Sequence, residues 1–231
     1  MNAPGPWTTV LFDFDGTLAD TIPLIVASYR YTLARAGLPE VPDEQVRSWI
    51  GRPLEPVLEE RYPGRGAELT AIYRAWNLSH HDELILAVPG MADALADLSR
   101  HGIRMGVVSS KATATVRLGL RAVGLDHLID VLAGLDDTDR HKPDPAPLVC
   151  AATRLGVAPG ECAYVGDADV DVLAARAAGM AAIGVTWGAA GPGLASSFPD
   201  ALVADAPALS SELRVGGGVR EDDVRPGEAT V

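Results

Sequence analysis

Four short segments of this chain carry side chains suited to chemistry. The first is DFDGTL at residues 13–18, directly after an apolar, β-branched run at residues 8–12. If that run is a buried strand, Asp13 and Asp15 stand at positions i and i+2 and project to the same side. Two close carboxylates repel each other, and a divalent cation or a raised pKa must relieve them. Gly16 allows a sharp turn immediately afterwards. The second segment, VVSSK at residues 107–111, ends a predicted strand in the hydroxyls of Ser109 and Ser110, which can donate to a phosphoryl oxygen or merely cap the next helix. The third, HKPDPAP at residues 141–147, places Lys142 before a proline, where the backbone is restricted to extended conformations. The fourth, YVGDADVD at residues 164–171, again runs from strand to glycine to acids, with Asp167 at the strand end and Asp171 one helical turn later. Hard oxygen ligands at several strand ends suit Mg²⁺, which keeps water and substrate phosphate among its ligands.

The elements that must position these residues follow from periodicity. Residues 21–36, 43–50, 54–62 and 67–78 read as helices punctuated by prolines and glycines, with no convincing strand among them. From residue 89 onward the texture changes. Helices at 91–100, 114–123, 146–155 and 171–178 alternate with strands at 104–109, 128–133, 162–165, 181–185 and 201–203. That alternation predicts right-handed βαβ units and an α/β fold, a doubly wound and mostly parallel sheet. Residues 1–17 and 87–213 are expected to form the core, residues 18–86 an inserted helical domain, and residues 214–231 a disordered tail rich in glycine and charge. All four segments fall at carboxyl ends of predicted strands, the edge at which open α/β sheets bind ligands.

Composition narrows the partners. The chain has 231 residues, 48% apolar and 22% charged, with a net charge of −12. That balance argues against nucleic acid or an acidic membrane, both of which need basic surface. Only two lysines occur, Lys111 and Lys142, against an otherwise arginine-based set of cations. A chain so poor in lysine keeps it where arginine will not serve. Cys150 and Cys162 form neither a metal-type pair nor a disulfide framework. The first residues lack the character of a signal peptide and no apolar run is long enough to span a bilayer, so a cytoplasmic location is expected. Nothing in the sequence selects between a monomer and a homodimer.

In their order, these segments resemble the haloacid dehalogenase-like superfamily, and its phosphoglycolate phosphatase-type members in particular. The likeness is carried by LFDFDGTLADT (11–21), MGVVSSK (105–111), KPDP (142–145), YVGDADVDVLAARAAGM (164–180) and IGVTWG (183–188). The resemblance implies a Rossmann-like core with a helical cap and a small phosphorylated metabolite as substrate. It implies Asp13 as nucleophile, Asp15 as general acid and then base, and Mg²⁺ held by Asp13, the Asp15 main-chain carbonyl and Asp167. It also implies that Ser109 and Lys142 bind the phosphoryl group, that Ser110 lies beside them, and that Asp171 supports the metal site or Lys142 from behind. Arg52, in the segment GRPL at residues 51–54, matches a cap position that commonly faces the substrate.

Departures within the superfamily sharpen the expectation. Asp15 argues against halide displacement. The absence of lysine from residues 18–86 argues against phosphonate cleavage, and the absence of histidine from residues 18–30 argues against a sugar-phosphate mutase. A phosphomonoesterase is expected, with pyrophosphate hydrolysis its nearest rival. Transfer to an acceptor other than water and a catalytically silent phospholigand-binding module stand behind them.

Overall fold

The computed structural model describes residues 7–215. Strand β1 (Thr9–Phe12) is buried along its whole length, and its side chains alternate between the two sheet faces. The chain then forms a two-residue strand, β2 (Ala19–Asp20), and enters a run of helices: α1 (Ile22–Arg35), α2 (Asp43–Arg47), α3 (Leu54–Arg61), α4 (Gly66–Ser79) and α5 (His81–Leu84). It returns through β3 (Leu86–Ala87), which pairs antiparallel with β2, so the insert leaves and re-enters the core at one place.

Beyond β3 the alternation predicted from sequence is present. Helix α6 (Met91–Arg100) precedes β4 (Arg104–Val108), α7 (Thr113–Ala122) precedes β5 (Val131–Ala133), and α8 (Ala146–Leu155) precedes β6 (Cys162–Gly166). Helix α9 (Asp169–Ala178), β7 (Ala181–Val185), β8 (Ala201–Val203) and α10 (Ala206–Val215) complete the core. The main sheet has six strands in the order β5-β4-β1-β6-β7-β8, with every pairing parallel. The chain runs outward from β1 through β4 to β5, then crosses back to β6 on the other side of β1, so a switch point lies at the carboxyl end of β1, where a crevice forms.

Each sheet face is covered. Val10, Phe12, Val107 and Val165 pack under α6, α7 and α10, whereas Leu11, Val108 and Tyr164 pack under α8 and α9. A third apolar cluster, including Ile25, Tyr29, Trp49, Val57, Leu58, Leu69 and Tyr73, belongs to the insert. Tyr29 meets Trp49 and Tyr73 edge to face there, with ring centroids 5.2 and 5.0 Å apart.

Several expected boundaries shift for local reasons. The helix expected over residues 43–50 stops at Arg47. The amides of Trp49 and Ile50 bond three residues back, a tightened helix end, and Gly51 follows at φ +90°. The strand expected from residue 128 begins at Val131, because Leu128 and Ile129 still bond to the Leu125 carbonyl in the turn after α7. Helix α9 starts at Asp169, two residues early, since the Asp171 carboxylate caps its first turn. The expected tail begins inside α10, at Arg214, one residue before its end, and from residue 216 onward it lies outside the described residues. Among the described residues, no helix is long and apolar enough to cross a membrane.

Candidate active site

The end of β1 delivers Asp13 to the switch point. Its amide donates to the Val165 carbonyl at 2.8 Å, so the strand ladder still fixes the backbone there. Asp13 is 2% exposed. The next residues form a tight loop in which Leu18 N–H donates to the Phe14 carbonyl and Gly16 N–H to that of Ala19. Asp15 comes to the wall of a cavity between the sheet edge and the insert.

The other strand ends close on this pair. Ser109 is anchored by its amide to the Ala133 carbonyl at 2.9 Å, and its buried hydroxyl accepts from the Lys111 amide at 3.2 Å. Lys111 Nζ lies 2.6 Å from Asp15 Oδ1. Lys142 reaches the site from the loop between β5 and α8. Asp137 braces that loop by accepting from the Gly134 amide and pairing with Arg154. Buried Lys142 Nζ lies 3.1 Å from Asp13 Oδ1 and 2.6 Å from Asp171 Oδ1, and it donates to the Tyr164 hydroxyl at 2.9 Å. Tyr164 in turn donates to the Val108 carbonyl, tying β6 to β4 beneath the lysine.

Asp167 follows β6 and is fully buried. Its Oδ2 accepts from the Ala189 amide at 2.6 Å, and the Thr17 hydroxyl stands 3.4 Å from Oδ1. Two glycines press on this carboxylate. A Cβ added at Gly16, whose φ is +71°, would meet Asp167 Oδ2 at 2.1 Å, and one added at Gly188 would meet it at 2.2 Å. Asp171 accepts from the amides of Asp167 and Ala168 through Oδ2 while Oδ1 holds Lys142.

The electrostatics of this cluster are those of crowded, buried acids. Burial pushes the Asp13 carboxyl up to about 7; Lys142 opposes this, and the charges of Asp171 and Asp15 add to it. Burial also raises Asp167 well above the carboxylate range, with Asp171 and Asp13 adding to the effect. Burial alone would lower Lys142, but Asp13 and Asp171 outweigh it and hold the ammonium protonated. A divalent cation fits this environment. Asp13, Asp167 and Asp171 offer oxygens within 4.8 Å of one another, all hard donors. Asp13 Oδ1 is buried and accepts no hydrogen bond, since the approach of Lys142 is an ion pair without hydrogen-bond alignment. Asp171 already serves Lys142 and two amides, which leaves Asp13 and Asp167 as the carboxylates able to take a metal.

The profile of the family described as haloacid dehalogenase-like hydrolase matches residues 10–185, a span that contains Asp13, Asp15, Ser109, Lys142, Asp167 and Asp171. The chain belongs to the haloacid dehalogenase-like hydrolases. This hydrolase is similar to a pyrophosphatase PpaX from Bacillus velezensis, 37% identical over 197 residues that cover 85% of this chain and 91% of the relative. Among solved structures it resembles a haloacid dehalogenase-like protein from Bacteroides fragilis, with TM-score 0.82 and 31% identity, covering 88% of this chain and 99% of that one. It also resembles a protein from Haemophilus somnus assigned by prediction as a phosphoglycolate phosphatase, with TM-score 0.77 and 28% identity, covering 89% and 97%.

Of the residues singled out from sequence, the hydrolase brings Asp13, Lys142, Asp167 and Asp171 into one buried cluster, with Asp15 and Ser109 beside it on the cavity wall. Lys142, Asp167 and Asp171 stand behind that wall. Ser110 and Arg52 also line the cavity but are engaged elsewhere. The Ser110 hydroxyl donates to the Gly51 carbonyl of the insert at 2.7 Å, and Arg52 pairs with Glu60 at 2.6 Å. Sequence reasoning passed over Tyr164, Thr17 and the Ala189 amide. Tyr164 carried a signal, a large polar-tipped side chain in the middle of an otherwise small, fully buried strand. The Ala189 contact is a backbone one and leaves no mark on residue type.

Proposed function

We propose that this hydrolase is a Mg²⁺-dependent phosphatase acting on a small phosphorylated metabolite through an aspartyl-phosphate on Asp13. The observation that carries the reading is the 3.1 Å approach of Lys142 to Asp13 beside buried Asp167, two strand ends and the loop after β5 brought together at the switch point. Asp13 attacks phosphorus while Lys142 and Ser109 hold the equatorial oxygens, because phosphoryl transfer depends on positioning and charge neutralisation more than on nucleophile strength. Asp15 acts as general acid and passes a proton to the leaving oxygen as the P–O bond breaks. Water then loses a proton to Asp15 and attacks the aspartyl-phosphate, releasing inorganic phosphate and restoring the Asp13 carboxylate. The Asp13 and Asp167 carboxylates and the Asp15 main-chain carbonyl would hold Mg²⁺, which would supply charge neutralisation to the phosphoryl oxygens. Asp171 positions Lys142, and the helical insert acts as a cap that excludes bulk water.

The reading takes in phosphate monoesters as a class, phosphoglycolate-like and sugar phosphates among them. Pyrophosphate is the second reading, supported by the PpaX name of the Bacillus velezensis relative. The same proposal places that action in the cytoplasm. The test is Asp13→Asn, assayed for phosphate release with Mg²⁺. Loss of turnover with an unchanged circular dichroism spectrum is expected; near-normal turnover would refute the reading.

A further inference from the structure

The cavity over Asp13 and Asp15 has a volume of about 310 Å³ and two unlike walls. The core side is mostly polar, with Asp13, Asp15, Ser109, Ser110, Lys111 and Thr115, and only Ala112 and Leu135 are apolar there. The insert side is largely apolar, with Ile25, Ile50, Leu54, Tyr73 and Leu78 contributing to it. A cavity of this size lies at the lower end of those that hold small organic molecules, roughly 300–1,000 Å³, so volume alone admits either an organic leaving group or a second phosphate.

Charge separates the two. Lys142 is committed between Asp13 and Asp171, Lys111 pairs with Asp15 at 2.6 Å, and Arg52 pairs with Glu60 at 2.6 Å. Arg74 is the remaining cation on the cavity wall. It is exposed, borders the neighbouring groove as well, and has no ion-pair partner among the described residues. A second phosphoryl group placed against the insert would bring further negative charge to a wall with one uncommitted cation at its rim. Desolvating that charge beside aliphatic and aromatic groups is costly. An apolar leaving group releases water from the same surface and is favoured by burial.

Resting on the phosphatase reading above, we propose that the preferred substrate is a phosphomonoester whose leaving alcohol carries an apolar or aromatic body, and that pyrophosphate is disfavoured by the insert-side wall. Leu78 is the residue to test, because it lines the cavity yet is 64% exposed and contributes little to the fold. The experiment measures kcat/KM with Mg²⁺ for benzyl phosphate, ethyl phosphate and pyrophosphate, the two esters having alcohol leaving groups of similar basicity. Benzyl phosphate is expected to exceed both others by roughly tenfold or more, the scale of a good apolar contact. Leu78→Lys is expected to cut the benzyl-to-ethyl ratio by about fivefold to tenfold, chiefly through KM for the benzyl ester. Pyrophosphate turnover equal to or above that of benzyl phosphate, or no advantage of benzyl over ethyl, would overturn the inference while leaving the phosphatase reading intact. A benzyl-to-ethyl ratio unchanged in Leu78→Lys would also overturn it. Phosphate release from none of the three would overturn both.

Discussion

Lys111 Nζ lies 2.6 Å from Asp15 Oδ1, joining residues 96 positions apart in the chain. The other lysine of the sequence, Lys142, stands 3.1 Å from Asp13. Each of the two lysines thus faces one of the two aspartates that follow β1, and among the described residues no arginine or histidine pairs with either. A compact ammonium on a flexible stem fits between Asp13, Asp171 and the Tyr164 hydroxyl, where a planar fork of five donors would not.

Lys142→Arg is therefore expected to be far from conservative. It should lower kcat for phosphate release by about 10²–10³-fold, the scale seen when one aligned charge donor is lost from a transition state. Asp171→Asn should leave Lys142 buried with a single carboxylate. Breaking a buried pair costs about 3–5 kcal/mol, so a clear fall in the urea midpoint is expected. The double variant Lys142→Met/Asp171→Asn should lose less stability than the two single changes summed, because neither charge is then left alone.

Metal binding can be read without turnover. Mg²⁺ should raise the Tm of the wild type, with a limit near 2.7 kcal/mol of added stability when the ion is at about a hundred times its Kd. Asp167→Asn should abolish that shift. EDTA should remove phosphate-releasing activity from the wild type, and added Mg²⁺ should restore it.

The Ser110 hydroxyl donating to the Gly51 carbonyl is a single bond between sheet edge and insert. Ser110→Ala should cost only about 1 kcal/mol of global stability. It should instead accelerate amide exchange in the turn at residues 48–52, which that bond holds against the core. Unchanged exchange there would count against the contact.

Acid stability gives a fourth check. The Gly134 amide holds the Asp137 carboxyl below its usual range, with Arg154 and Thr113 adding to the effect. A depressed folded pKa stabilises the protein above the unfolded pKa, and the contribution fades as pH falls through the folded value. Asp137→Asn should thus be less stable than wild type at neutral pH and approach it under acid, as paired chemical-denaturation curves would report.

The chemistry of the sheet edge was legible because β1, β4 and β6 each place their motif immediately after a run of buried β-branched or small residues. Topology then forces those ends together. What escaped were features set by backbone rather than by residue type. The ribbon of β2 and β3 is too short to show a period, α5 is a single turn, and Asp167 takes its hydrogen bond from the main chain of Ala189. Helix α10 stands where no helix is expected from the sequence, although Leu209 and Leu213 lie one turn apart and both are buried, a helical spacing. Ser110 and Arg52 were chosen by position in a motif, and position alone does not reveal that Gly51 and Glu60 already engage them.

Gly16 and Gly188 lie at opposite ends of the sequence, yet either one given a methyl group would strike the same carboxylate. A saturation-mutagenesis map should therefore show two intolerant positions with no chemistry of their own, one inside DFDGTL and one at the end of IGVTWG, far downstream. Drift at the distant site would cripple Asp167 as surely as replacing it, so the carboxyl-terminal third of the chain is bound to the amino-terminal strand by shape as well as by charge.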